Sequence, residues 1–401
     1  MHVTLKTGLI SLMISFVFAG GILAKEKQLV TKISFPPAEQ LPEIKELPDP
    51  FLMNNGKRVQ TRKDWKTRRE EIKTILADYE YGQMPPPPGN VTGEITSKAE
   101  HRMEVKLTMG PDKKLIMGLR IWFAKGKGPF PVIVRPKHYS GGMPSESSKR
   151  GYMEVRYDNL ALDPDERKAV GTAQAAYPDH DWGTIAVWAW AGMRAIDYLV
   201  TLPEVDKDKI VVTGHSRGGK TALLLGAFDE RVALTVPNAS GGGGLQCWRF
   251  PIFPDDPKGC KPHEGVHRCR KRTYWFHPRL KPFARKVGHL PFDQHFLVAL
   301  VAPRALCSTE AMDDQYATPI CVQRSILAAK VVYHWLGAGD RIVLHMRRGR
   351  HKQGPEDWAA LLDFADLVFF GKKPQSGQEF NNFPYPDAKP GFSWKAPEKS
   401  E

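Results

Sequence analysis

Two residues have the clearest chemical potential: Ser216, in Gly214-His215-Ser216-Arg217-Gly218, and His351, in Arg348-Gly349-Arg350-His351. A serine hydroxyl is a weak nucleophile until a base takes its proton, and a histidine oriented by a carboxylate is the usual base. The pattern Gly-x-Ser-x-Gly is the sequence form of a sharp turn from a strand into a helix. Its glycines are needed because side chains there would collide. The strain lifts the serine hydroxyl out of the sheet and over a helix N-terminus, where negative charge is stabilised. Such a short pattern also arises by chance, and a solvated serine in a glycine-rich turn is the plain alternative. The flanks decide between them. Residues 210–213 are a β-branched run long enough for one buried strand, and 221–225 begin an apolar helix. Ser216 is read as a nucleophile.

The partners follow from chain order, which with this turn is nucleophile, acid, histidine. The base is expected on the loop after the last strand and before the last helix, which selects His351; His345 lies within the strand and is expected to be structural. The base takes the proton from Ser216 as the ester is attacked and returns it to the leaving alcohol. The acid is expected just past the preceding strand, in Ser308-Thr-Glu-Ala-Met-Asp-Asp314. Asp314 is the first choice, standing five residues before Pro319, where helix-start chemistry resumes. Asp313 and Glu310 remain alternatives, and solvated loop carboxylates are the plain reading.

The elements that must carry these residues alternate along the chain. Residues 25–60 are a proline- and charge-rich lead-in, and 65–79 have the spacing of an amphipathic helix. Strands are expected at 103–107, 115–123, 130–134, 210–213, 232–237, 305–308 and 342–346. Helices are expected at 182–200, over part of 328–335 and at 355–370, the last opened by Pro355 and stopped by Gly371. Trp182, Trp188 and Trp190 are read as packing. His138-Tyr-Ser-Gly-Gly142 follows a buried strand and would border the oxyanion region. The alternation implies a mostly parallel sheet covered on both faces, a three-layer αβα sandwich of the α/β-hydrolase fold. One domain over 25–401 is expected, with an N-terminal extension at 25–100 and an active-site insertion at 245–290.

Of 401 residues, 41% are hydrophobic and 25% charged, an ordinary globular balance. The formal net charge of +14 is spread along the chain, so no nucleic-acid arm is implied. It reads either as a soluble basic surface or as attraction to an acidic polymer. Residues 1–24 resemble a secretory signal, with Lys6 before an apolar run at 8–18 and Ala24 at a cleavage site. No later segment is apolar enough for a membrane span, and a secreted or periplasmic monomer is expected. Five cysteines leave at least one outside any internal pairing, and none has Cys-x-x-Cys spacing. No metal or cofactor is expected. A Cys260–Cys269 disulfide within the insertion is favoured slightly over free thiols, with Cys307 and Cys321 the other pair that could form and Cys247 then left over.

Beyond the triad pattern, the chain resembles the glucuronoyl esterases, carbohydrate esterases of family fifteen, in their bacterial branch. The resemblance rests on Gly214-His-Ser-Arg-Gly-Gly-Lys220, Asp229-Glu-Arg231, Ser240-Gly-Gly-Gly-Gly244, Pro291-Phe-Asp-Gln-His295, Ala302-Pro-Arg304 and Asp357-Trp-Ala-Ala-Leu-Leu-Asp-Phe-Ala-Asp366. It runs from about residue 40 to residue 371. It implies hydrolysis of esters between glucuronic acid, carried on xylan, and lignin alcohols. By resemblance, Arg217 would stabilise the oxyanion with its backbone N–H and guanidinium, and Lys220 would hydrogen-bond sugar hydroxyls. The plain reading of both is helix-surface charge.

Three departures from the family bear on substrate more than on chemistry. Ala239 stands where the fungal branch has its acid, which moves the acid to the later loop and supports Asp314. Tyr316 stands where the family usually has a sugar-stacking tryptophan. Residues 245–274 do not follow the usual insertion, leaving Glu264 as a substitute for a substrate-contacting acid; Trp275 resembles a family segment or is core. Two other readings stay open: an esterase on another carbohydrate ester such as acetylated xylan, and a non-catalytic carbohydrate-binding relative.

Overall fold

Strands β2 (Arg102–Met109) and β3 (Leu115–Trp122) bury alternate residues, the period of a strand with one face on a core. Strands β4 (Phe130–Pro136), β7 (Val232–Asn238) and β8 (Ala305–Ala311) are buried almost throughout, as strands covered on both faces must be. With β1 (Thr92–Ala99), β5 (Met153–Tyr157), β6 (Val205–His215) and β9 (Ile342–Arg347) they form a nine-stranded sheet of order β1-β2-β3-β5-β4-β6-β7-β8-β9. Pairings from β5 through β9 are parallel, and those from β1 to β5 are antiparallel. The computed structural model describes residues 35–250, 264–269 and 274–398. The signal-like segment and Cys260 lie outside the described residues, as does the Cys269 side chain.

Helix α1 (Arg62–Leu76) precedes the sheet, and α4 (Thr184–Leu199), α5 (Arg217–Phe228), α7 (Gln294–Val301), α8 (Pro319–Trp335) and α9 (Pro355–Phe370) alternate with strands β6 to β9; α2 (Pro144–Lys149), α3 (Thr172–Ala176) and α6 (Val266–Cys269) are short. Adjacent residues of a strand point to opposite faces, and the two cores divide accordingly. Val132, Val134, Ile210, Val212, Leu306 and Leu344 join α4, α5, α7 and α8 in one cluster. Ile133, Val211, Leu234, Val236, Cys307 and Val343 meet Trp358, Leu361, Leu362 and Phe364 of α9 in the other. This is the αβα sandwich expected. Helix α4 is buried on nearly every side, its Trp188 and Trp190 packed in the larger cluster together with Trp182.

Several elements were not expected. Strand β1 is exposed along its whole length, so no apolar alternation marks it. Strand β5 has five residues, too few to show a period. Helix α7 is apolar on all sides and reads as a buried strand or a helix alike; Asp293 caps it through Gln294 N. Cys247, Cys307 and Cys321 are buried free thiols, so Cys307 and Cys321 do not pair. No described helix is long and apolar enough to cross a membrane.

Candidate active site

Strand β6 ends at His215 and α5 begins at Arg217, leaving Ser216 alone to make the turn with φ 54° and ψ −118°. A non-glycine residue in that region is strained and persists only where the surroundings enforce it. Here they do. A Cβ on Gly214 would overlap Gly218 O, and one on Gly218 would overlap Tyr139 O. Backbone bonds hold the turn from both sides, His215 N to Tyr139 O at 2.6 Å and Ser216 N to Asn238 O at 3.0 Å. Ser216 thus sits at the C-terminal edge of the parallel strands, where open α/β sheets place their sites. The first amides of α5 have no intrahelical acceptor and face the same edge.

His351 and Asp314 follow the C-terminal ends of β9 and β8, two strands that are hydrogen-bonded neighbours. His351 Nδ1 lies 2.6 Å from Asp314 Oδ2. The other carboxylate oxygen, Oδ1, accepts Tyr316 N at 2.9 Å and Ala317 N at 3.1 Å. Burial pushes the Asp314 carboxyl up, but the hydrogen bond and charge of His351, with those two amides, hold it below the ordinary range. Asp313 points elsewhere. Its N donates to Gly349 O, and its Oδ2 accepts Gly349 N, which ties the acid loop to the histidine loop. Glu310 is fully buried within β8, bonded to Ser308 Oγ, and burial followed by repulsion from Asp314 pushes its carboxyl well up. Of the three candidate acids, Asp314 alone is on His351. His345 is buried in β9 with Nδ1 on Glu379 O, as a structural histidine.

The His351 ring lies between His215, at 4.4 Å between centroids, and Tyr316, at 5.8 Å. His215 Nδ1 is 2.6 Å from Asn238 Oδ1, and Asn238 Nδ2 donates to Thr309, so His215 is the donor. Burial first and His351 second lower the His215 pKa to about 4, leaving a neutral ring against the base. The Ser216 hydroxyl has no hydrogen-bond partner among the described residues; such bonds often tighten only in the reacting complex. A cavity of about 310 Å³ beside the dyad is lined by Asp313, Asp314, Gln315, Tyr316, Arg350 and His351.

Lys220 is not the surface charge of the plain reading. It is fully buried, and its Nζ donates to Ser240 O at 2.5 Å and Glu264 Oε2 at 2.6 Å. Glu264 belongs to the insertion, which therefore does reach the site. Behind them Glu80 is fully buried, bonded by Gln294 Nε2 and Trp248 Nε1, and burial raises its pKa to about 8. Arg217 pairs with Asp165, and its guanidinium lies 3.7 Å over the Tyr139 ring and 5.1 Å over that of Trp275. Tyr316 is half exposed, whereas Trp275 is buried with Nε1 on Asp165 Oδ1 at 2.9 Å. Sequence reasoning missed Asp165 and Glu80. Asp165 stands among the ordinary loop residues 163–166, and Glu80 lies where the helical pattern ends at Tyr81-Gly82, so neither carries a local signal. Among the described residues, no group of three or more His, Cys, Asp or Glu could hold a metal ion.

Sheet order and the strained serine turn define an enzyme of the α/β-hydrolase fold. The profile of the family described as "Glucuronyl esterase, fungi" matches residues 108–337. A 4-O-methyl-glucuronoyl methylesterase from Phanerochaete carnosa is 31% identical over 339 residues, covering 82% of each chain. The structure of a carbohydrate esterase family 15 glucuronoyl esterase from Caldicellulosiruptor kristjansonii superposes with a TM-score of 0.75 at 30% identity, covering 84% of this chain and 93% of the other. A mutant glucuronoyl esterase from Sporotrichum thermophile, in complex with methyl 4-O-methyl-β-D-glucopyranuronate, gives 0.71 at 27% identity over 84% and 91%. The chain belongs to the glucuronoyl esterase family and is a carboxylic ester hydrolase.

Proposed function

We propose that this chain is an exported serine esterase that cleaves esters of glucuronic acid borne on a polysaccharide, through Ser216, His351 and Asp314. The observation that carries the reading is the His351–Asp314 pair beside a serine held at positive φ on the same edge of the sheet. His351 Nε2 takes the Ser216 proton as the oxygen attacks the ester carbonyl. Asp314, on Nδ1, keeps the ring in that tautomer and stabilises the imidazolium that forms. The tetrahedral oxyanion is met by the free amides at the start of α5 and by the Arg217 side chain, preorganised charge of the kind that contributes most to acyl transfer. Collapse expels the alcohol, which receives the proton from His351. Water, activated by the same base, then hydrolyses the Ser216 ester.

Lys220 and Glu264 form a polar floor suited to sugar hydroxyls, and the half-exposed Tyr316 offers a ring face at the rim. The uronate class is favoured by the methyl glucuronate bound in the Sporotrichum relative. Export is supported by the pattern of residues 1–24. Rates on benzyl glucuronate, methyl glucuronate and a simple acetate ester test the assignment. The glucuronates are expected to be preferred, and Ser216→Ala to lose about a millionfold in kcat with the fold intact. Preference for the acetate, or appreciable turnover by the alanine variant, refutes it.

A further inference from the structure

Arg217 is held by more of the molecule than a helix-surface arginine needs. Asp165 lies in the loop between β5 and α3, a loop anchored to α4 by Trp188 Nε1 on Asp163 O at 2.8 Å. Its Oδ2 accepts Arg217 Nη1 and, at 2.5 Å, Tyr139 OH. Its Oδ1 accepts Tyr274 OH and Trp275 Nε1, each at 2.9 Å. A carboxylate has about four lone-pair sites, and here each has a donor. The side chain is 11% exposed.

Two of the donors also pack on the guanidinium. Tyr139, stacked on Trp188 at 5.8 Å, lies face-on to the guanidinium, and Trp275 borders it on another side. Tyr139 belongs to the segment whose carbonyl accepts His215 N. Three stretches distant in sequence, the 138–142 loop, the 163–171 loop and the end of the insertion, thus meet on one carboxylate and one arginine. The guanidinium spends only Nη1 on protein; Nε and Nη2 have no hydrogen bond among the described residues. An arginine has a large rotamer entropy, and a donor stabilises a transient charge fully only when its position is already fixed.

We infer that Asp165 is a positioning residue for the reaction: with Tyr139, Tyr274 and Trp275 it locks the Arg217 guanidinium beside Ser216, leaving two nitrogens for the oxyanion. The inference rests on the reading of Arg217 as an oxyanion donor. A carboxylate this close also offsets part of the arginine's charge, so its benefit lies in geometry and not in field.

Burial raises the Asp165 carboxyl, but the bonds from Tyr139 and Trp275, the Arg217 charge and the Tyr274 bond outweigh it and keep the group ionised at working pH. A double-mutant cycle on benzyl glucuronate decides the matter. Removing an oxyanion donor costs about 10²–10³ in kcat, so Arg217→Ala is expected in that range. Asp165→Asn should lose about 10- to 100-fold in kcat with KM nearly unchanged, since it surrenders position but not the donor. Added to Arg217→Ala, Asp165→Asn should cost less than about twofold, and Asp165→Glu should recover part of the single-variant loss.

If Arg217→Ala is impaired but Asp165→Asn matches wild type, or loses as much in the Arg217→Ala background as alone, the inference falls and the oxyanion assignment stands. If Arg217→Ala leaves kcat unchanged, the assignment itself fails and takes the inference with it. Should Asp165→Asn lack a cooperative thermal transition, Tyr274→Phe serves in its place. That variant removes one donor from Asp165, and a several-fold loss in kcat that disappears in the Arg217→Ala background is expected. A loss that persists there marks a merely structural contact.

Discussion

Replacing Asp314 by asparagine tests the dyad without changing its shape. The wild-type carboxylate faces donors on both oxygens, His351 Nδ1 on one and the amides of Tyr316 and Ala317 on the other. An asparagine can keep only one of these arrangements. If its oxygen stays on the two amides, its NH₂ points at His351 Nδ1, which must then accept; the proton moves to Nε2, and the ring can no longer take a proton from Ser216. The flipped amide places NH₂ against two backbone N–H groups, and leaving buried donors unpaired costs about 1–3 kcal/mol each. The unflipped form therefore wins, and with it the wrong tautomer. The same change in a serine protease lowers kcat about 10⁴-fold, equivalent to about 5 kcal/mol of barrier. Initial rates of Asp314→Asn on benzyl glucuronate should fall by that order, with KM within about threefold of wild type because the group does not touch substrate. A loss below about tenfold, or an equal loss in Glu310→Gln, would refute the reasoning.

Lys220→Met should raise KM more than it lowers kcat and cost up to about 3 kcal/mol in urea unfolding, because it strands Glu264. Adding Glu264→Gln should restore the stability but not KM. Gly218→Ala should drive the 138–142 loop off the turn, costing about 1–3 kcal/mol and most activity, since its Cβ would overlap a backbone carbonyl with no room to give. Glu80, ordinarily at 4.5 but raised to about 8 by burial, takes up a proton on folding between those values. The Glu80 contribution to stability should therefore fall by about 1.4 kcal/mol per pH unit as pH rises through that window, and Glu80→Gln should make the pH slope in urea melts from pH 5 to 8 less negative than that of wild type by about that amount.

Where sequence reading of the fold succeeded, the elements had a period or a boundary signal. Helix α9 was legible to the residue, Pro355 fixing φ at its first turn and Gly371 taking the left-handed φ of 64° past its last. The strands entering the site were found but cut short. Residues 206–209 are polar and fall outside the expected strand at 210–213, yet β6 begins at Val205 because its partner β4 begins opposite, with Phe130 paired to Val205. Pairing across strands, not local propensity, extended it. The exposed β1 had no core to pattern it, and its partner β2 alone makes it a strand.

The same division runs through the site. The proposed nucleophile, its base and the neighbouring cations were the most legible, Ser216, Arg217 and Lys220 in one short motif and His351 by its place before the last helix. The carboxylates that pair with them left weaker marks. Asp314 lies 37 residues from His351, Glu264 44 from Lys220 and Asp165 52 from Arg217. A motif is legible because one turn of backbone forces its residues together, as the glycines at 214 and 218 do here. A long-range ion pair leaves no such local mark, since any loop carboxylate near the right strand end satisfies the spacing. Asp314 was the first choice, with Asp313 and Glu310 as alternatives, because chain order restricts where the acid can come from. For Asp165 no ordering rule applied: its loop is tied to α4 by Trp188 Nε1 on Asp163 O, and its carboxylate is held by Tyr139, Tyr274 and Trp275 from two other stretches of the chain. The partner of Arg217 is therefore set by how these distant segments pack, a tertiary fact with no counterpart in the spacing of residues.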